Sequence, residues 1–174
     1  MAAEFGYEID AVDLRLLRRL AANGRATWAD LAVETDMTAP GVAQRVRRLR
    51  ERGVLRGFAA LIAPEAVAPI CAFVSVALDA SRGTHAAFRE AMRAMPEVQE
   101  CHHVAGDADY LVKLRCGSLE HLEVLLGERL PEVPGVRTAR TTVVVSTIKE
   151  EPVAPLADSE EEMVHADAEA GGRA

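Results

Sequence analysis

The segment from Thr38 to Gly53 constrains this chain more than any other. Thr38 is a suitable helix N-cap, Pro40 falls in the first turn where a missing N–H costs little, and Gly53 marks the end. Val42, Val46 and Leu49 recur at helical spacing as one apolar stripe. Gly41, Gln44, Arg45, Arg48 and Arg52 are expected on the opposite side, with Arg47 and Arg50 flanking. Small residues at the start of a helix and arginines beyond it suit insertion into a DNA major groove. Guanidinium groups reach phosphates or, bidentately, the acceptor edge of guanine. A solvated arginine-rich face is the competing explanation.

The residues before this segment favour DNA. Asp10 and Asp13 start a first helix whose Ile9, Leu16, Leu17 and Leu20 keep helical spacing until Asn23 and Gly24. Thr27 with Asp30 resembles a capping box for a short second helix carrying Leu31 and Ala32 and ending near Thr35, Asp36 and Met37. Two short helices, a tight turn and a third helix are the plan of a helix-turn-helix. The expected duplex contacts are Arg25, Thr38, Pro40, Gly41, Gln44, Arg45, Arg47 and Arg48.

The formal charge of −7 argues against a nucleic-acid partner only if it is spread evenly, and it is not. Residues 1–63 carry ten basic against eight acidic side chains, residues 64–149 nine against eleven, and residues 150–174 one against eight. The acidity belongs to the tail, which has Pro152, Pro155 and a Gly171-Gly172 end and is expected to be disordered. Cys71, Cys101 and Cys116 include no Cys-x-x-Cys pair, so neither a disulfide framework nor a zinc knuckle is indicated. The acidic start lacks the features of a signal peptide, and the apolar run around Ala66 to Leu78 is too short for a membrane span, which fits the cytoplasm.

Val54 to Ile62 is expected to be a strand-like linker, closed by Pro64 and Pro69. After it, Cys71–Leu78, Val98–Val104, Tyr110–Cys116 and Thr141–Ile148 are expected strands, with helices over Thr84–Met95 and from Ser118 through Leu126. Pro96-Glu97-Val98 after one helix is echoed by Pro134-Gly135-Val136 after the other. The fold class is therefore α+β: a winged-type, three-helix helix-turn-helix followed by a ferredoxin-like βαββαβ domain. The domains are residues 1–53, a linker at 54–68, an assembly and sensing domain at 69–149, and the tail at 150–174. Both sides of the first strand are apolar, so the sheet face left bare by the helices should be greasy and buried in a homodimer.

In this order, these units resemble the Lrp/AsnC (feast/famine) family of regulators across nearly all of residues 9–149. The resemblance is carried by Ile9, Asp10, Asp13 and Leu17; Gly24-Arg25; Leu31-Ala32; and Arg45, Val46, Arg48, Leu49, Gly53 and Gly57. It continues through Glu100-Cys101-His102, Val104, Gly106, Asp107, Asp109-Tyr110-Leu111, Pro134-Gly135-Val136, Thr141 and Lys149. Ala108 departs from it where an aromatic residue is usual, as does the Ala39-Pro40-Gly41 run. The resemblance implies a DNA-binding regulator, a homodimer assembling to an octamer or higher, and an amino-acid effector between dimers. Its position implies effector contacts at His103, Val104, Gly106, Asp107 and Asp109, with Thr141 and Thr142. A zwitterion needs a carboxylate for its ammonium group and N–H or hydroxyl donors for its own carboxylate. A hairpin turn whose aspartates cap their own backbone is the alternative for that loop.

No cofactor, resident metal or catalytic group is indicated. Cys101 and His103 fall on one side of a strand and His102 on the other, which leaves two ligands where a closed zinc site needs four. Sirohaem decarboxylases resemble the same layout and would draw on His102, His103, Arg137 and Arg140, but that leaves the arginines of the third helix without a role.

Overall fold

A computed structural model of the chain describes residues 9–81, 83–151 and 156. The chain divides at Ala60 and Leu61 into two compact units. The first contains α1 (Ala11–Ala22), α2 (Trp28–Thr35) and α3 (Ala39–Glu51). The second contains a single turn α4 (Pro64–Val67), then β1 (Ile70–Leu78), α5 (Thr84–Ala94), β2 (Val98–His103), β3 (Tyr110–Cys116), α6 (Leu119–Val124) and β4 (Val136–Val143). The winding of α6 widens to π-helical over Leu125–Arg129 before the chain turns into β4.

Each helix of the first unit begins on a side-chain cap. Asp10 and Asp13 form a reciprocal capping box, Thr27 and Asp30 form another, and the Thr38 hydroxyl accepts from the Gly41 N–H. Between α2 and α3 the chain turns through Asp36, whose φ of 53° is left-handed, a conformation that aspartate tolerates better than most side chains. Leu16, Leu31 and Val42 are fully buried and join Leu20 and Val46 in a small core. Burial of each such side chain contributes roughly 1.5–3 kcal/mol. Residues 56–63 form neither helix nor strand. The strand-like linker and the wing are therefore not formed in the single chain, and Leu61 and Ile62 stay largely exposed. A lone edge needs a pairing partner, and among the described residues none is offered.

The second unit is an antiparallel sheet in the order β2-β3-β1-β4. Both crossover helices pack on one face, as a split βαβ unit requires. Ala72, Val74 and Val76 of the central strand are fully buried under Phe88, Met92, Leu122 and Leu125.

Two expectations about this second unit change. The last strand runs over Val136–Val143 and not Thr141–Ile148. Its end is set by its partner, since β1 begins at Ile70 and Val144 N–H makes a final bond to Cys71 C=O. The β-prone Val145 and Ile148 thus lie past the ladder and are almost wholly exposed.

Nor is the bare face greasy. Cross-strand register places Arg115 beside Cys71, Lys113 beside Phe73 and Leu111 beside Ser75. Lys113 is nearly buried and pairs with Glu100 at 3.2 Å and with Glu150, which also pairs with Arg115. Burial works against the Lys113 ammonium, but the Glu150 and Glu100 carboxylates outweigh it and hold its pKa above the ordinary range. Glu150 therefore belongs to this unit, whereas most of the expected acidic tail lies outside the described residues.

Gly135 opens β4 with φ 84°, and a Cβ there would lie 1.7 Å from Thr84 Cγ2. Gly135→Ala combines a left-handed backbone with a clash against the Thr84 side chain and should lower unfolding free energy by about 3 kcal/mol. Gly127→Ala, in open space on a helical turn, should be neutral or stabilising by up to about 1 kcal/mol. Urea midpoints of the two variants check this contrast.

Candidate nucleic-acid interface and effector turn

The third helix divides its residues by angle. A helix advances about 100° per residue, so Val42 and Val46 point into the small core with Leu49 buried on the same side, and the opposite side carries Pro40, Gln44 and Arg47 with Arg48 at its border. Thr38, Pro40, Gln44, Arg47 and Arg48 are exposed, as is Arg25 in the turn before α2. Arg47 makes an exposed i,i+4 pair with Glu51 at 2.8 Å, too solvated to hold it back from a phosphate. Gly41 is half-buried, and a Cβ there would lie 3.2 Å from both Met37 Cε and Thr38 Oγ1. A side chain at this position would therefore need Met37 and the Thr38 cap to give by a few tenths of an ångström.

Arg45 is the exception in the expected row. Its Nη1 donates to Asp10 Oδ2 at 2.5 Å and to Asp13 Oδ1 at 2.9 Å, both on α1. Asp13 is buried, Asp10 is half-exposed, and each carboxylate gives its other oxygen to the capping box. Arg45 follows Val42 by three residues and precedes Leu49 by four, so it borders the buried stripe and does not oppose it. That spacing was the sequence signal for its inward place. Burial pushes the Asp10 carboxyl up, but the Asp13 N–H and the Arg45 guanidinium outweigh it and hold it below 3.8.

The turn between β2 and β3 is held by its own backbone and one carboxylate. Val104 N–H bonds to Asp109 C=O, Asp109 N–H bonds to Val76 C=O, and Leu78 N–H donates to Asp109 Oδ2 at 2.7 Å. Asp109 therefore fixes the turn to β1. Asp107 is exposed at its tip, and Gly106 has open space where a side chain would stand. His103 is exposed, with its ring 5.0 Å from Tyr110 and 5.7 Å from His85 between centroids, and the His85 ring also bonds to Tyr110 Oη at 3.1 Å.

Thr141 and Thr142 are not brought to this turn. They pair with Val74 and Phe73, whereas the turn closes beside Val76 and Leu78. Two residues along the strand and two strand spacings across the sheet leave about 12 Å within one chain. Being consecutive, the two threonines also point to opposite faces.

The enzyme alternative finds no convergence. His102 and His103 lie on one edge strand, Arg137 and Arg140 on the other edge, about 14 Å apart by three strand spacings. Among the described residues no three His, Cys, Asp or Glu side chains gather as a metal site. Burial raises the Cys101 thiol pKa against a small opposing pull from Arg93.

Two outcomes follow. Asp109→Ala leaves a part-buried N–H unpaired and should cost about 1–3 kcal/mol, while Asp107→Ala should stay within about 0.5 kcal/mol, as thermal melts can check. The depressed Asp10 carboxyl contributes stability that is complete above its unfolded value of 3.8 and lost as pH falls below it. Asp10→Asn, which retains a cap but cannot titrate, should flatten that acid limb in pH-dependent denaturation.

Known proteins share both units. The family pattern of the AsnC-type helix-turn-helix domain matches residues 9–50, and that of the Lrp/AsnC ligand binding domain matches residues 71–154. The leucine-responsive regulatory protein of Haemophilus influenzae is 38% identical, with 82% of this chain and 87% of that protein covered. A transcriptional regulator from Neisseria meningitidis, solved as a complex with L-methionine, superposes with a TM-score of 0.77 at 27% identity, covering 84% of this chain and 96% of that one. A feast or famine regulatory protein from Mycobacterium tuberculosis, also complexed with L-methionine, gives a TM-score of 0.72 at 35% identity, covering 84% and 98%.

Proposed function

The chain belongs to the Lrp/AsnC family of transcriptional regulators, and from that premise we propose that it holds operator DNA with α3 and answers to an amino acid through the domain that follows. The observation that carries the DNA contacts is the exposed row of Pro40, Gln44 and Arg47 opposite the buried stripe of α3, with exposed Arg48 at its border and Thr38 at its cap. Small side chains at its start let the helix approach the groove closely, with Gly41 setting the turn behind them. Gln44 suits adenine, Arg47 and Arg48 suit guanine or phosphate, and Arg25 suits a phosphate beside α2.

The effector half rests on the β2–β3 turn. Open space over Gly106 and the exposed Asp107 carboxylate offer a place for backbone-to-ligand approach and for an ammonium group, with His103 and Val104 at its side and Asp109 shaping it. The separation of Thr141 and Thr142 from the turn supports a site shared between subunits, where these hydroxyls come from another copy. Relatives solved with L-methionine favour an amino acid with an apolar side chain. The working form is a homodimer assembling to an octamer or higher, in the cytoplasm. No helix among the described residues is long and apolar enough to cross a membrane. Binding of the effector alters how the dimers are arranged, and thereby the spacing of successive recognition helices along the duplex.

Operator affinity should fall steeply with salt, about 0.9 log units per log unit of salt for each phosphate neutralised, and Arg48→Glu should weaken binding about tenfold or more. Affinity indifferent to both would overturn the DNA contacts. In a thermal-shift screen of the twenty amino acids, one or a few should raise the melting temperature, equivalent to about 2.7 kcal/mol at a hundred times Kd. Asp107→Asn should abolish that response while melting normally without ligand. A flat response to all twenty would remove the amino-acid effector.

A further inference from the structure

We propose that Arg45 is a positioning residue that sets the rotation of the recognition helix, and that it makes no contact of its own with DNA. The inference rests on the proposal that the exposed row of α3 meets the duplex. Its own evidence is the tie between two helices.

One guanidinium nitrogen of Arg45 bridges two carboxylates, Asp10 at 2.5 Å and Asp13 at 2.9 Å. Those carboxylates are not loose surface groups. Asp10 Oδ1 accepts the Asp13 N–H at 2.8 Å, and Asp13 Oδ2 accepts from the Asp10 N–H, so each is fixed by the backbone of the first turn of α1. Arg45 thus reads the free oxygens of a pre-set cap. A charge held this way cannot swing to a phosphate without abandoning two ionic hydrogen bonds, one to a buried aspartate.

The geometry gives the tie a purpose. The core stripe of α3 consists of two valines and one leucine, which resist translation of the helix but only weakly resist rolling about its axis. Arg45 sits at the border of that stripe, where a lateral tie has leverage against rolling. Gln44 is its immediate neighbour and Arg48 lies one turn on, so a roll of about 20° at a side-chain radius of about 5–6 Å would move them by about 2 Å, enough to break a base-edge hydrogen bond. Phosphate contacts through long side chains tolerate such a shift better. Losing the tie should therefore erode discrimination between sequences more than general affinity.

A sign separates a tie from a contact. Asp10→Asn removes a negative charge close to the DNA-binding helix. If Arg45 touched DNA, that change would free it and strengthen binding; if Arg45 is a tie, the change loosens the helix and weakens binding.

The test uses the full chain and a duplex selected from random sequence by the wild-type protein, with an unrelated duplex of equal length as reference. Arg45→Gln should lower the ratio of specific to non-specific affinity about tenfold while the slope of log affinity against log salt stays unchanged. Arg48→Gln should reduce that slope by about 0.9. Asp10→Asn, which keeps a good N-cap, should weaken specific binding several-fold, and the double variant Asp10→Asn with Arg45→Gln should match Arg45→Gln alone. A salt slope reduced by about one in Arg45→Gln, or tighter binding by Asp10→Asn, overturns the proposal. If the wild-type chain selects no duplex, the DNA-contact reading fails and the tie is judged by urea denaturation. There the double variant should unfold at the midpoint of Arg45→Gln, and strictly additive losses overturn the tie.

Discussion

The pairing of β1 between β3 and β4 is the constraint on which the second unit depends. Its alternate residues Ala72, Val74 and Val76 are fully buried beneath two helices, and its register with each neighbour decides what every other strand can present. That register stops β4 at Val143, brings Lys113 alongside Phe73, and separates the β2–β3 turn from Thr141 and Thr142. A slip of one residue would exchange the helix-facing set for the opposite one, so the order of the sheet and the chemistry of its faces are a single decision.

The first unit obeys a different economy. Its apolar core is small, and its three helices begin on side chains that close the free N–H groups of their first turns. The carboxylates that cap α1 also hold Arg45, so one pair of aspartates starts a helix and restrains another. Local capping and tertiary orientation are coupled there. A recognition surface on so small a scaffold needs that restraint, because base edges are read at hydrogen-bond precision while three buried side chains permit a range of helix rotations.

Much of this was legible in the residues. Asp10, Thr27 and Thr38 announced their helices because a capping side chain bonds within three residues of itself. The apolar stripe of α3 and the doubled βαβ order were legible for the same reason, since periodicity is local. What escaped depends on partners distant in sequence. The last strand was expected too late because Val143, Val144, Val145 and Ile148 are β-prone, yet a strand exists only where a neighbour pairs with it. The bare face was expected to be greasy because β1 was considered alone, without the cations of β3 that stand beside it. Thr141 and Thr142 were joined to the turn by family position, while the sheet keeps them apart in one chain. Arg45 was readable in principle, since its neighbours three before and four after are both buried, although a charged side chain on a helix ordinarily faces water.

Glu150 gives the sensing domain an end that its strands do not mark. A single side chain beyond the last ladder bond pairs with a nearly buried ammonium and a neighbouring guanidinium at once. Trimming the chain at Lys149 would thus leave Lys113 with Glu100 alone and take the Glu150 carboxylate from Arg115, two cations two positions apart on one face of β3, although no strand or helix had been touched. The boundary of this domain is electrostatic, one residue into what composition alone assigns to the acidic extension.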